Sequence, residues 1–242
     1  MGGPERFKTY GNVFDEFTRR NIFKLASRGF FEETLLPVSI GKEANIFAAP
    51  AEDGRMVTIK IYRLENCNFN KMRGYLQTDP RYKNMSQNRR QVIFAWVQRE
   101  FRNLIKAREA GVRVPTPIHF MANIILEEFI GHGNAPAPQL NKSPVDDPQK
   151  MCKDICAQMK ALYQGGIIHG DLSPFNILVH NQKPFFIDMS QSTELEDPNA
   201  EEYLQRDASN LERFFSRFGI DVDTDRILGY IREDKNLLSD EP

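Results

Sequence analysis

The spacing of apolar residues changes period several times along the chain, and each change predicts an element. Phe17, Ile22, Leu25 and Ala26 recur at three to five residues, which predicts a helix near 15–29 that Gly29 can end. An extended stretch follows from Leu35 to Ala49, interrupted by the segment SIGKEAN. Val57, Ile59 and Ile61 then alternate with Thr58, Lys60 and Tyr62, a strand of period two with Lys60 on the face opposite the isoleucines. Glu52-Asp53-Gly54 supplies the turn of a hairpin. From Leu64 to about Gln91 the sequence is polar, aromatic and broken by Asp79-Pro80, and the expectation is a long functional or mobile loop.

A strong helix is expected next in QVIFAWVQREFRNLIKAREAG, with Val97, Phe101, Leu104 and Ile105 on one stripe and Gly111 as its stop. Ile118 to Ile130 reads as two short strands joined near Ala122-Asn123. The Gly- and Pro-rich GHGNAPAPQL marks the expected lobe boundary, dividing residues 1–130 from 131–242. After Asp147-Pro148, Cys152, Ile155, Cys156, Met159, Leu162 and Tyr163 outline an amphipathic helix stopped by Gly165-Gly166. ILVHNQKPFFID predicts a hairpin turning at Asn181-Gln182, and Leu211, Phe214, Phe215 and Phe218 predict a helix in the tail. A small strand-rich lobe followed by a helical lobe is the α+β architecture implied.

Composition narrows the class. The 242 residues are 40% hydrophobic, enough for a sizeable core, and no apolar run approaches the ~18–20 residues that span a bilayer. The charged N-terminus lacks the apolar core of a signal peptide, so a cytoplasmic protein without membrane association is expected. Three cysteines, an odd number, argue for reduced thiols. Cys152 and Cys156 have no His or Cys near them in sequence to complete a zinc site, and they read as core. The net charge of -1 conceals an asymmetry: Lys60 to Arg108 holds twelve basic and three acidic residues, and Glu127 to the C-terminus eleven basic and twenty-one acidic. Such a dipole can steer an anionic partner to one side of the molecule.

The richest chemistry lies in IIHGDLSPFNILVHNQKPFFID. Phosphoryl transfer needs a carboxylate to orient or deprotonate the attacking hydroxyl, and oxygen ligands to hold a metal against the phosphates. Asp171, Asn176 and Asp188 supply that set. Asp171 and Asn176 share one irregular loop around Pro174, and Asp188 closes a strand that pairs back beside it. One Asn and one Asp suit magnesium, which prefers few carboxylates plus phosphate oxygens. The Gly41-Lys42 pair does not make a Walker loop, because Leu36 stands where that motif needs its first glycine and Glu43 where it needs Ser or Thr.

SIGKEAN, IKIYR around Lys60, EFRNL from Glu100, EFIG from Glu128, APAPQL, HGDLSPFN and IDMSQ together resemble the RIO family of atypical kinases, in its first subfamily, over nearly the whole chain. The resemblance implies a bilobal protein-kinase-like fold with no conventional activation loop. It implies an ATP- and magnesium-dependent Ser/Thr kinase and ATPase, with manganese as an alternative metal, acting in small ribosomal subunit maturation. On that resemblance Asp171 is the catalytic base, Asn176 and Asp188 the metal pair, and Asp188 also an aspartyl-phosphate acceptor. Lys60 is the phosphate-contacting lysine and Glu100 its partner. Ser39, Gly41 and Lys42 form the substitute for a glycine-rich phosphate loop, and the backbone of Glu128 and Ile130 holds adenine. Ser86 is the autophosphorylation candidate, rRNA the partner expected for the basic segment, and short tails point to an archaeal member.

Three features depart from common patterns. Glu127 stands where relatives usually place an apolar residue guarding the adenine pocket, and its side of the strand is left open by sequence. Met189-Ser190-Gln191 replaces the Phe-Gly of ordinary kinases, and no Ala-Pro-Glu follows. Two other functions remain beside the kinase: a nucleotide-gated preribosome-binding module with little turnover, and a small-molecule kinase, which shares HGDL-x-x-x-N but not the other segments.

Overall fold

The computed structural model describes residues 14–65, 67–82, 88–233 and 236–238. The chain divides into two compact units. The first comprises residues up to 77, 81–101 and 117–136, and the second comprises 78–80, 102–116 and 137 onward. The expected boundary at 130/131 was contiguous, whereas these units are not, because residues 102–116 pack with the later helices.

In the first unit, α1 (Glu16–Ser27) starts where the Asp15 carboxylate accepts the Thr18 N–H at 2.7 Å. It stops at Gly29, whose φ of 78° suits glycine. An antiparallel sheet follows, built from β1 (Leu36–Ile40), β2 (Ala44–Pro50), β3 (Met56–Tyr62), β4 (Pro117–Met121) and β5 (Ile124–Glu128) in the order β1-β2-β3-β5-β4. One face gives Phe47, Val57, Ile59, Ile61, Ile124 and Leu126 to a core shared with Ile22 and Leu25 of α1. Each such side chain contributes about 1.5–3 kcal/mol on full burial. Register puts Lys60 opposite Ile46 and Ile125, so the alternation read from sequence places Lys60 on the other face. Asn123, in the β4–β5 turn, donates to the Tyr62 carbonyl (2.8 Å) and the Thr18 hydroxyl (3.0 Å), which ties the turn to β3 and α1.

The long loop expected over 64–91 is corrected in part. It contains α2 (Phe69–Thr78), capped by Asn68, whose side chain accepts the Lys71 N–H at 3.1 Å, and burying Met72, Tyr75 and Leu76. Those three apolar positions make a short stripe that the surrounding Asn, Lys and Arg residues obscured. Ser86 lies outside the described residues. The following helix, α3 (Arg89–Glu109), begins two residues before the predicted start. Two-residue strands β6 (Gly131–His132) and β7 (Ala135–Pro136) pair at the end of this unit, within the segment expected as a linker.

In the second unit, α4 (Pro148–Gln164) is capped by the Asp147 carboxylate, which accepts the Lys150 N–H at 2.8 Å, with proline at the first helical position. β8 (Ile167–Ile168) pairs with β11 (Thr193–Glu194), and β9 (Ile177–His180) with β10 (Lys183–Phe186). The β9–β10 turn places Asn181 and Gln182 at φ of 51° and 56°, the left-handed pair a two-residue hairpin needs. Two helices complete the unit: α5 (Ala200–Phe215), as expected, and α6 (Thr224–Glu233), which sequence reading missed. Cys152, Ile155, Cys156, Met159 and Leu162 of α4 join Leu172, Phe186, Leu211, Phe215 and Ile227 in its core. The α4 thiols are packed, and a mutual hydrogen bond together with burial raises the Cys156 pKa, which is the chemistry of core residues. No helix among the described residues is long and apolar enough to cross a membrane.

Candidate active site

The catalytic loop runs from His169 to Asn176 and is fixed by hydrogen bonds on all sides. Gly170 sits at φ 77°, and a Cβ there would come within 2.8 Å of the Gln191 carbonyl oxygen, so only glycine fits. The Asp207 carboxyl oxygens of α5 accept the Gly170 N–H (2.8 Å) and the Leu172 N–H (2.7 Å), straddling Asp171. Arg206 donates to the Gly170 carbonyl and Asn210 to that of Leu172 at 2.9 Å. Three residues from about one turn of α5 therefore hold the backbone on both sides of Asp171.

The Asp171 side chain is itself oriented. Its Oδ2 accepts the Gln191 amide at 2.8 Å and the Asn176 amide at 3.4 Å, and Asn176 Nδ2 also donates to the Asp171 carbonyl at 2.8 Å. Asn176 thereby spends its nitrogen on Asp171, which leaves its amide oxygen as the atom to face a cation. His169 Nε2 donates to the Ile187 carbonyl at 3.1 Å, so Nδ1 is the acceptor for the Asp171 N–H at 3.3 Å. Burial lowers the pKa of this imidazole, in keeping with that neutral tautomer.

Asp188 is brought beside the loop by the Ile187 N–H, which donates to the Asn176 carbonyl at 3.0 Å. It adopts the left-handed conformation, φ 61° and ψ 59°, at a cost of roughly 1–2 kcal/mol for a residue with a Cβ. The Ser190 hydroxyl donates to Asp188 Oδ1 at 2.7 Å. A 3₁₀ turn over Met189–Gln191 follows, and Asn103 of α3 clamps it by donating to the Met189 (2.8 Å) and Ser192 (2.9 Å) carbonyls. Residues 189–199 are all that separate Asp188 from α5, which leaves no length for a conventional activation segment.

The first unit holds a second set. Lys60 Nζ donates to Glu100 Oε1 at 2.6 Å, and the Tyr62 hydroxyl donates to Glu100 Oε2 at 2.6 Å. The lysine and glutamate side chains are 9% and 1% exposed, so this is a buried ion pair between β3 and α3. Gly41 turns the chain between β1 and β2, where its N–H donates to the Ala44 carbonyl at 3.0 Å and a Cβ would meet that oxygen at 2.7 Å. Ser39 and Lys42 are exposed on either side of it. Glu128 ends β5 and Ile130 is buried just beyond. Glu127 pairs with Thr58 in register, so it shares the Lys60 face of the sheet and is buried there, answering the question the sequence left open.

Sequence reading named Asp171, Asn176 and Asp188, and the structure brings those three together. It likewise brings Lys60 to Glu100. Sequence reading missed Asp207, Arg206, Gln191, Asn103 and Tyr62. Asn103 and Gln191 lie inside the quoted EFRNL and IDMSQ segments, so their polar character in otherwise buried motifs was the available signal. Asp207 had none beyond being an acid among Leu204, Ala208 and Leu211.

A RIO domain is matched over residues 45–227, a span that includes Lys60, Glu100, Asp171, Asn176 and Asp188 and leaves Ser39, Gly41 and Lys42 just ahead of it. The RIO-type serine/threonine-protein kinase Rio1 of Haloferax volcanii is 39% identical over 231 residues, 96% of this chain and 80% of the relative. Human serine/threonine-protein kinase RIO1 is 33% identical over 225 residues, 91% of this chain and 40% of the relative. Among solved structures, the Rio2 kinase of Chaetomium thermophilum in an ADP/Mg2+-phosphoaspartate complex aligns with a TM-score of 0.63 at 27% identity, covering 81% of this chain and 59% of that one. The α+β, protein-kinase-like architecture expected from sequence is thus matched in a solved relative, and the chain belongs to the RIO family of serine/threonine-protein kinases, in its Rio1 branch.

Proposed function

We propose that this chain transfers the γ-phosphoryl group of ATP to a Ser or Thr hydroxyl, with Asp171 as the base. The observation that carries the reading is the restraint on Asp171. Backbone contacts to Asp207 fix its position, and the Gln191 and Asn176 amides take up Oδ2, so that Oδ1 is presented to the substrate hydroxyl. Asp171 takes the hydroxyl proton as the oxygen attacks the γ-phosphorus and the bond to the bridging oxygen of ADP breaks.

Magnesium fits the donor set, since the Asn176 amide oxygen and the Asp188 carboxylate are hard oxygen ligands on adjoining segments. Phosphate oxygens and water would complete its shell, because among the described residues no group of three or more His, Cys, Asp and Glu could hold a metal alone. Bound there, the ion would neutralise charge on the transferring phosphoryl. Lys60, aligned by Glu100, contacts the phosphates, while Ser39, Gly41 and Lys42 line them and the Glu128 and Ile130 backbone holds adenine. The phosphoaspartate of the Rio2 complex supports a second route, in which Asp188 takes the phosphoryl group and water releases it as an ATPase. The RIO resemblance and the basic segment support a cytoplasmic role in small ribosomal subunit maturation with rRNA as a partner.

The test is phosphoryl transfer and ATP hydrolysis by Asp171→Ala under saturating ATP. A general base contributes about 10²–10⁴-fold, and a loss of that size with unchanged ATP affinity is expected. Unaltered turnover would remove the assignment of Asp171 as the base, and negligible turnover by the parent chain would leave a nucleotide-gated binding module.

A further inference from the structure

The first unit contains a recess of ≈ 300 Å³ lined by Cys67, Asn68, Phe69, Asn70, Arg73, Arg89 and Val92. All of these residues lie in the segment with nine excess positive charges, on α2, its lead-in and the first turn of α3. The recess is cationic without compensation. Among the described residues neither Arg73 nor Arg89 has an acidic partner, and the same holds for the neighbouring Lys71 and Arg90. Three cations of the second unit, by contrast, have acidic partners: Lys106 with Glu194, Arg113 with Asp154 and Arg232 with Glu201. Burial, helped by the Glu43 charge, pushes the Cys67 thiol up to about 12, but Glu43 does not line the recess.

The guanidinium groups are also placed for a ligand. Arg89 Cζ lies over the Phe69 ring, 4.9 Å from its centroid, a cation–π contact that seats the guanidinium at the recess. Arg73 stands one turn along α2 from Phe69, and the first turns of α2 and α3 add the positive ends of two helices. Planar forks, amide side chains and helix starts in a cavity with no carboxylate favour an oxyanion with several acceptor oxygens.

We propose that this recess is a binding site for the phosphodiester backbone of single-stranded RNA, separate from the residues assigned to ATP. The inference rests on the reading of an RNA partner given above and names where that partner is held. RNA is favoured over a phosphorylated peptide because the unpaired cations extend beyond the recess to Lys71 and Arg90, as a repeating polyanion requires and a single phosphate does not.

The experiment uses the full chain and a 5′-fluorescein-labelled single-stranded RNA of mixed sequence, with affinity read by anisotropy from 50 to 200 mM KCl. Each single-strand phosphate contact contributes about 0.7 to the slope of log K against log salt. The Arg73→Gln/Arg89→Gln variant is expected to lose about 1.4 of slope and bind about tenfold more weakly at 50 mM. Lys24→Gln/Lys183→Gln, an equal charge change on exposed residues outside the recess, is expected to lose less than a third of that. ATP affinity is expected to stay within twofold of the parent in both, and unchanged Trp96 fluorescence shows that the variants are folded. Arg73→Gln alone, which leaves the Arg89–Phe69 contact in place, should give half the slope change. Equal slopes in the recess variant and the parent would overturn the site while leaving RNA as a partner. Absence of RNA binding by the parent would overturn the RNA reading itself and leave the kinase assignment standing. Arg73- and Arg89-dependent binding of a phosphoserine peptide tighter than RNA would overturn RNA in favour of a phosphoprotein.

Discussion

Replacing Glu100 with alanine isolates the energetics of the buried pair in the strand-rich unit. Lys60 is 9% exposed on its side chain and loses a carboxylate 2.6 Å away, while the Tyr62 hydroxyl loses its acceptor at 2.6 Å. Removing one member of such a buried pair costs about 3–5 kcal/mol. With a guanidinium m-value of roughly 2–6 kcal/mol/M, the unfolding midpoint should fall by about 1 M. The assay is intrinsic fluorescence, because the single tryptophan, Trp96, is buried in α3 of the same unit and packs on Tyr75 at 5.8 Å. A second variant checks the cause. Lys60→Met/Glu100→Gln removes both charges, keeps an acceptor for Tyr62, and should cost less than about 1.5 kcal/mol while abolishing phosphoryl transfer as completely as the single change. A Glu100→Ala midpoint within about 0.2 M of the parent would refute the reasoning. So would a double variant as unstable as the single one, since the loss would then come from packing and not from the broken ion pair.

Two further outcomes follow from the catalytic loop. Gln191→Ala removes the 2.8 Å amide contact to Asp171 Oδ2 and should lower kcat about 10- to 100-fold with little change in the KM for ATP, and Gln191→Glu, a carboxylate facing a carboxylate, should lower it further; steady-state kinetics decide it. Burial pushes the Asp207 carboxyl up to about 8 against the pull of its two N–H donors, so the folded chain retains a proton that the unfolded chain releases above its ordinary 3.8. Stability should therefore decline as pH rises from about 4 to 8, and Asp207→Asn should flatten that decline, as measured by denaturant unfolding across the range.

Elements with a single dominant period were legible from sequence because one energetic term controlled them. The β3 alternation, the α4 stripe and the Asn181-Gln182 turn each follow from burial or backbone sterics at consecutive positions. Helix α2 was not legible, since three buried positions around Gly74 sit among polar residues that serve its outer surface. Helix α6 carries Ile227, Leu228 and Ile231, again too few for a clear stripe without the core of α4 and α5 that receives them. The same distinction holds in the site. Residues assigned to the chemistry lie in compact motifs and were found. Residues that position them act over long sequence separations, 35 and 37 residues for Asp207 and 86 and 89 for Asn103, where spacing carries no information.

The EFRNL segment shows why such a motif is short and dense. Glu100 and Asn103 are one helical turn apart on α3, yet their partners belong to different chemistry. Glu100 aligns Lys60 on β3, while Asn103 spends both amide hydrogens on the Met189 and Ser192 carbonyls. The second contact matters because Asp188 immediately precedes that turn in a left-handed conformation, which costs a residue with a Cβ some backbone energy and is held here by the contacts around it. Ser192 adds to the enforcement through its hydroxyl, which donates to the His169 carbonyl at 3.1 Å, and Ile187 through its bond to Asn176. The strain at Asp188 thus follows from a loop tied down on both sides. The Ile187 N–H to Asn176 bond sets Asp188 one residue beyond that contact, and the Ser190 hydroxyl holds its carboxylate, the oxygen donor that the proposed chemistry assigns to a metal or a phosphoryl group. Relaxing the turn by losing Asn103 would free Asp188 to return to an ordinary extended conformation, and the carboxylate would leave the position that the assigned chemistry requires.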